Sequence, residues 1–104
     1  MRVAFTPEAQ RDLLDIVLYL DDRNPKAARQ TLQNIRARCL SLADHPRRGA
    51  VIGLRGEEEI RRVLEYPFII AYTCSDELVS ILRDLHGARD FHHILDTLLG
   101  SEPD

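Results

Sequence analysis

Seven consecutive residues, Phe68-Ile69-Ile70-Ala71-Tyr72-Thr73-Cys74, carry no charge and are almost all apolar or strand-forming. A strand that is apolar on both faces is stable only where both faces are covered, so this segment predicts the centre of a sheet. Its neighbours follow from the flanking sequence. Ser75-Asp76-Glu77 has hairpin-turn chemistry, and Leu78 to Leu85 returns with Val79, Ile81 and Leu85 on one face and Leu78 and Leu82 on the other. Upstream, Glu59 to Leu64 reads as a third strand, closed by a turn at Tyr66-Pro67.

The cover comes from the N-terminal half. Met1 to Phe5 alternates Val3 and Phe5 against Arg2 and Ala4, as a strand does. Thr6-Pro7 then supplies a capping hydroxyl and a proline at the first helical position, with Glu8 in the first turn, and a helix runs to about Asp22. Asn24-Pro25 repeats the signal, and a second helix runs to about Ala43 with Ala28, Leu32, Ile35, Cys39 and Leu42 as one seam. The short connection makes the two an antiparallel hairpin. Asp44-His45-Pro46 ends it. Arg47 to Glu58, with Gly49, Gly53 and Gly56, reads as a loop with room for a short strand around Val51-Ile52. It has no Gly-Lys-Ser/Thr ending, so it is not a phosphate loop. Phe91, Ile94, Leu95, Leu98 and Leu99 recur at helical spacing between Asp90 and Gly100, which predicts a short amphipathic helix with Asp90 as its N-cap.

The expected class is therefore α+β, one domain spanning residues 1–104. It has a small antiparallel sheet with an N-terminal strand and a two-helix hairpin on one face, in the order β-α-α-β-β-β. A short C-terminal helix completes it.

The first helix is unusual. Ala9, Leu13, Ile16 and Leu20 form its stripe, yet Leu14, Val17 and Leu18 lie mostly off it. An ordinary surface helix has a polar face opposite its stripe. Either the second helix and the sheet cover the excess, or it is a contact with another protein.

Composition narrows the function. The net charge is −3, which disfavours general nucleic-acid binding through phosphates. No apolar run approaches the roughly 20 residues needed to span a bilayer, and Met1-Arg2-Val3 leads into structured sequence without a signal-peptide plan. The expected location is the cytoplasm. Cys39 and Cys74 have no metal spacing and read as reduced thiols. His86, His92 and His93 lack carboxylate or thiolate ligands at helical spacing, so neither a metal nor another cofactor is expected. Ser41, Ser75 and Ser80 have no nucleophile-elbow context.

The run His86-Gly87-Ala88-Arg89-Asp90 follows the last strand directly. It sets an imidazole, a guanidinium and a carboxylate at a strand end, where sites are commonly built. Two readings compete: a turn and helix cap, or a site. Arg61, Arg62, Arg83 and Arg89, with His86 as proton-transfer group, are the residues that metal-free RNA cleavage would use. Strand alternation puts Arg61 and Arg62 on opposite faces, which weighs against that chemistry.

The order of elements and a set of residues together resemble the RelE/ParE toxin superfamily, the ParE branch most closely. The matching pieces span nearly the whole chain: Phe5-Thr6; Asp12-Leu13 with Ile16 and Tyr19; Asn24-Pro25 with Ala27-Ala28; and Leu42 with Pro46 and Gly49. After these come Arg61-Arg62-Val63, Tyr66-Pro67-Phe68 with Tyr72, and Ile81-Leu82-Arg83 through His86-Gly87-Ala88-Arg89-Asp90. The resemblance implies a toxin of a type II toxin–antitoxin module, wrapped and neutralised by a small antitoxin in a hetero-oligomer. The RelE branch cleaves messenger RNA on the ribosome with a basic sheet. This chain departs from it: its one lysine is Lys26, Phe68-Ile69-Ile70 stand where an arginine is common, and the tail has no tyrosine.

Similarity to the ParE branch implies instead a non-enzymatic inhibitor of DNA gyrase. On that reading Arg61, Arg62, His86, Arg89 and Asp90 meet the target, and Leu14, Val17 and Leu18 meet a ParD-like antitoxin. The alternatives are a RelE-like nuclease, in which Arg61, Arg62, His86 and Arg89 would be catalytic, and a non-toxic orphan binding module. Asp84 departs from the branch, where an apolar residue is usual. A nearby arginine is its expected partner, or else it weakens toxicity.

Overall fold

The computed structural model describes residues 1–87 together with Arg89, Asp90, His93, Leu98 and Leu99. The elements are β1 (Arg2–Phe5), α1 (Pro7–Asp21), α2 (Pro25–Ser41), β2 (Ala50–Arg55), β3 (Glu58–Glu65), β4 (Phe68–Cys74) and β5 (Leu78–His86). The sheet order is β1-β5-β4-β3-β2, which places the uncharged strand β4 in the middle.

The α+β class holds, with two corrections to the sheet. It is mixed: β1 pairs with β5 in parallel, Arg2 opposite Leu78 through Phe5 opposite Ile81. The helix hairpin between β1 and the meander is long enough to bring the chain back in either direction, and alternation within a strand carries no information on the partner's direction. The second correction is β2, a full strand where mostly loop is expected. Its pairing with β3 shifts between Val51 and Gly53. That irregularity breaks the period-2 pattern that marks a strand.

Both helix starts form as their sequences require. The Thr6 hydroxyl accepts from the Ala9 amide (3.1 Å) and donates to the Leu82 carbonyl (3.0 Å). The Asn24 side chain accepts from the Ala27 amide (3.1 Å). The hairpin packs on one face of the sheet. There Ala9, Leu13, Ile35 and Cys39 meet Val63, Phe68, Ile70, Tyr72, Val79 and Ile81. On the opposite face Ile60, Ala71 and Leu82 form a smaller core with Leu98, and half-buried Ile52 and Leu99 pack against it. Gly53 makes room for it, since a Cβ there would overlap the Leu99 side chain. Most of the expected helix at 90–99 lies outside the described residues.

The loop after α2 is pinned from below. The Tyr72 hydroxyl, on a fully buried side chain, donates to the Pro46 carbonyl (2.8 Å) and accepts from the Gly49 amide (2.9 Å). Burial raises the Tyr72 pKa, partly offset by the Gly49 hydrogen bond. Arg61 adds contacts to the carbonyls of Arg47 (3.1 Å) and Gly49 (2.8 Å).

Candidate functional site

One irregularity in β5 builds the site. Opposite β4, Tyr72 pairs with Ile81 but Ala71 pairs with Arg83, so Leu82 is extra. Directly paired residues share a face. Beyond the bulge Asp84 pairs with Ile70 and His86 with Phe68, both on the helix-covered face. Leu85 is expected on that face from simple alternation. It pairs instead with Ile69 and leaves the place to Asp84.

The result is a cleft of about 520 Å³ between α1 and the end of β5. Asp12, Asp15, Ile16 and Tyr19 of α1 line one side, and Phe68, Asp84, His86, Arg89 and Asp90 line the other. Asp12 holds Arg83 through both guanidinium contacts, at 2.7 and 2.9 Å. Asp84 is 3% exposed. Neither of its carboxylate oxygens has a hydrogen-bond partner among the described residues. The expected arginine partner does not reach it, because Arg83 is committed to Asp12. Burial and the Asp12 charge push the Asp84 pKa up to about 7, against a smaller opposing effect of Arg83. The Asp84 charge adds to burial in raising the Cys39 thiol beyond its ordinary range.

The His86 and Phe68 rings stand nearly perpendicular, centroids 6.0 Å apart, and the His86 Nδ1 is buried without a partner among the described residues. The Gly87 amide donates to the Pro67 carbonyl (2.9 Å), and a side chain at position 87 would crowd that carbonyl and Ile69. Gly87, Arg89 and Asp90 already have helical backbone. The turn thus begins before Asp90, which is not its N-cap. The Asp90 carboxylate instead reaches back to the His86 amide (3.4 Å) and takes the Arg89 Nε (3.1 Å). The bond from Arg89, more than burial, sets the direction of its shift and holds the Asp90 carboxyl below the usual range. The Arg89 side chain is 66% exposed.

His86, Arg89 and Asp90 are therefore brought together, as expected from their run. Arg61 and Arg62 are not among the residues lining the cleft. Their partners Tyr72 and Ala71 place them on opposite faces of the sheet. Arg61 is largely enclosed, bonded to two loop carbonyls and to Glu59 (2.9 Å). Sequence reasoning assigned no site role to Asp12, Asp15 and Tyr19. The one local signal was Asp15, a lone charge in an apolar run.

The outer face of α1 is not covered by the hairpin or the sheet. Leu14 and Leu18 are 55% and 59% exposed, and Val17 is half-buried. Leu14 and Val17 line a second groove of about 430 Å³ with Leu13, Leu32 and Arg36. Tyr19 is exposed at the rim of the cleft, with the Arg23 guanidinium stacked 3.9 Å from its ring centre. Among the described residues no group of side chains has the makeup of a metal site. None of the helices among them is long and apolar enough to cross a membrane.

The family model for the ParE toxin of the type II toxin–antitoxin system parDE matches residues 3–91. The chain belongs to the ParE toxin family. It is a type II toxin–antitoxin toxin of the ParE/RelE superfamily. It is 33% identical over 88 residues to Toxin RelE2 of Caulobacter vibrioides, covering 85% of this chain and 97% of that one. Its fold matches a chain of the chromosomal ParDE TA system from P. aeruginosa, with a TM-score of 0.64 at 22% identity. That match covers 83% of this chain and 95% of the other. It also matches a chain of the archaeal RelE-RelB complex from Pyrococcus horikoshii OT3, with a TM-score of 0.60 at 16% identity, covering 85% and 96%.

Proposed function

We propose that this ParE-family toxin inhibits DNA gyrase without breaking bonds itself, and that a cognate antitoxin holds it inactive. The observation that carries the reading is the charge of the cleft. Arg83, His86 and Arg89 stand among Asp12, Asp15, Asp84 and Asp90, with Arg83 taken by Asp12 and Arg89 by Asp90. An RNA backbone entering there finds both guanidinium groups already paired, and Asp15 and Asp84 without a cation among the described residues, which opposes phosphate binding. A protein surface with its own donors and cations suits that lining. His86, Arg89 and Asp90 form the target-facing set. Arg61 and Arg62 contribute from elsewhere on the sheet, Arg61 by fixing the loop at 47–49.

The exposed Leu14, Leu18 and half-buried Val17 are the antitoxin's seat on this reading. Large apolar side chains in a row on one helix turn fit an amphipathic partner segment. The neighbouring solved structures are toxin–antitoxin systems, which supports a partner of that kind.

Expression without antitoxin should arrest growth and induce the DNA-damage response, and purified protein should block supercoiling by gyrase. Transcript cleavage at ribosomes with gyrase untouched would establish the RelE-like nuclease instead. That reading draws on the similarity to Toxin RelE2, with Arg89 and His86 as the groups available in the cleft. Harmless expression, with Arg89→Ala behaving as the parent, would establish an orphan binding module.

A further inference from the structure

Three buried side-chain atoms lack a hydrogen-bond partner among the described residues: both carboxylate oxygens of Asp84 and Nδ1 of His86. Both residues line the same cleft. Unpaired buried polar groups are costly and uncommon, and several at one place point to a missing partner. The charges point to its sign. Asp12 is taken by Arg83 and Asp90 by Arg89. Asp15 and Asp84 have no cation within ion-pair distance among the described residues. The apolar lining from Ile16, Tyr19, Leu20 and Phe68 suits an alkyl stem behind a charged head.

We propose that this cleft is a receptor for the guanidinium of an arginine on a docked polypeptide, whose N–H donors are taken by the Asp84 carboxylate and by Nδ1 of His86. A guanidinium offers five donors in a planar fork, enough for a two-oxygen acceptor and a ring nitrogen at once, whereas an ammonium is a point charge. The carboxylate is already stripped of water in the free protein, so that desolvation cost is not incurred again on binding. A polypeptide source fits the place. Tyr19 lines the cleft and is exposed, and Leu18 beside it is exposed on the outer face of α1. A chain seated on that face can reach the cleft with one side chain. Naming the antitoxin as that chain rests on the proposed function; the receptor itself does not.

Binding is linked to protons. Asp84 faces Asp12 from α1, Cys39 from α2 and Arg83 on its own strand, and it titrates near pH 7. A bound cation ionises it, so affinity rises about tenfold from about pH 6 to about pH 8.

The test is titration of the isotope-labelled full chain with N-acetyl-arginine methylamide, followed at the Asp84 carboxyl carbon and the His86 ring nitrogens. Both signals shift, with the stated pH dependence, and the neutral citrulline analogue leaves them unmoved. Asp84→Asn loses at least about tenfold in affinity, and Asp84→Leu, which puts an apolar residue there, loses it too. Circular dichroism establishes that both variants are folded. Equal binding by Asp84→Asn, equal binding of the citrulline analogue, or no shift at about 50 mM arginine probe overturns the receptor. Putrescine binding more tightly than the arginine probe overturns the polypeptide source and assigns the cleft to a free diamine. None of these outcomes bears on gyrase inhibition, which the supercoiling assay reads separately.

Discussion

Asp12 binds Arg83 with both carboxylate oxygens, 2.7 Å to Nε and 2.9 Å to Nη2, and accepts the backbone amide of Asp84 at 2.9 Å. One side chain of α1 thereby closes the edge of β5 beyond the point where β1 stops pairing. An uncovered strand edge leaves donors open. Asp12→Ala strands the Arg83 guanidinium and the Asp84 amide together. Only 22% and 12% of the two side chains is exposed, so the expected loss is about 3 kcal/mol, the range for breaking an enclosed pair on one side. Urea unfolding checks it. Arg83→Met, which removes the charge but keeps the stem, should cost less, because the Asp84 amide keeps its acceptor.

Asp84 makes stability fall as pH rises. Its folded pKa is about 7, above the ordinary value near 3.8, so between those values the native state holds a proton that the unfolded chain has released. Stability from this group is full below about pH 4 and is lost through about pH 7, at up to about 1.4 kcal/mol per pH unit. Above that it is flat. Asp12 of α1, Cys39 of α2 and Arg83 surround the carboxyl, and of these the Asp12 charge acts in the same direction as burial. Asp84→Asn should abolish this slope, and Asp84→Leu should raise the thermal midpoint at neutral pH. A stability curve from pH 4 to 8 with the same slope in parent and Asp84→Asn would refute the assignment.

The loop after α2 depends on Tyr72 and a glycine. Tyr72→Phe leaves the Gly49 amide and the Pro46 carbonyl without their partner in a buried setting. The expected cost is about 1–3 kcal/mol. Gly49→Ala should also destabilise, since its Cβ would stand 2.6 Å from the Tyr72 hydroxyl and against the Arg62 carbonyl. The measurement is denaturant unfolding of each single variant and of the double. The two changes share a contact, so the double should be less destabilised than their sum.

Local chemistry made most of the fold legible. Thr6-Pro7 and Asn24-Pro25 opened both helices where they stand, and the uncharged Phe68–Cys74 took the sheet centre. The direction of β1 was not legible, because a strand's own pattern does not name its partner. Nor was β2, whose register shift at Gly53 breaks the alternation. The cleft was half legible. The His86 to Asp90 run marked its rim, but its far wall comes from α1, distant in sequence (71 residues separate Asp12 from Arg83). The single extra residue in β5 reversed the faces of everything after Leu82. It turned Asp84 inward, and a period-2 reading cannot see that.

Arg89 and Leu14 separate the two proposed surfaces. The Arg89 side chain is exposed and its one ion pair among the described residues is with its neighbour Asp90, so Arg89→Ala should leave the thermal midpoint unchanged. Exposed pairs of this kind hold little stability. If the gyrase reading is right, the same change abolishes growth arrest and inhibition of supercoiling, while the protein still binds its antitoxin. Leu14→Asp with Leu18→Asp should do the reverse. Both side chains are more than half exposed, so a folded and toxic protein is expected, but one that antitoxin co-expression no longer rescues. Growth curves with and without antitoxin, alongside pull-down of the pair, give the four outcomes. Loss of antitoxin binding by Arg89→Ala would merge the two surfaces into one, and so would loss of toxicity by the double leucine variant.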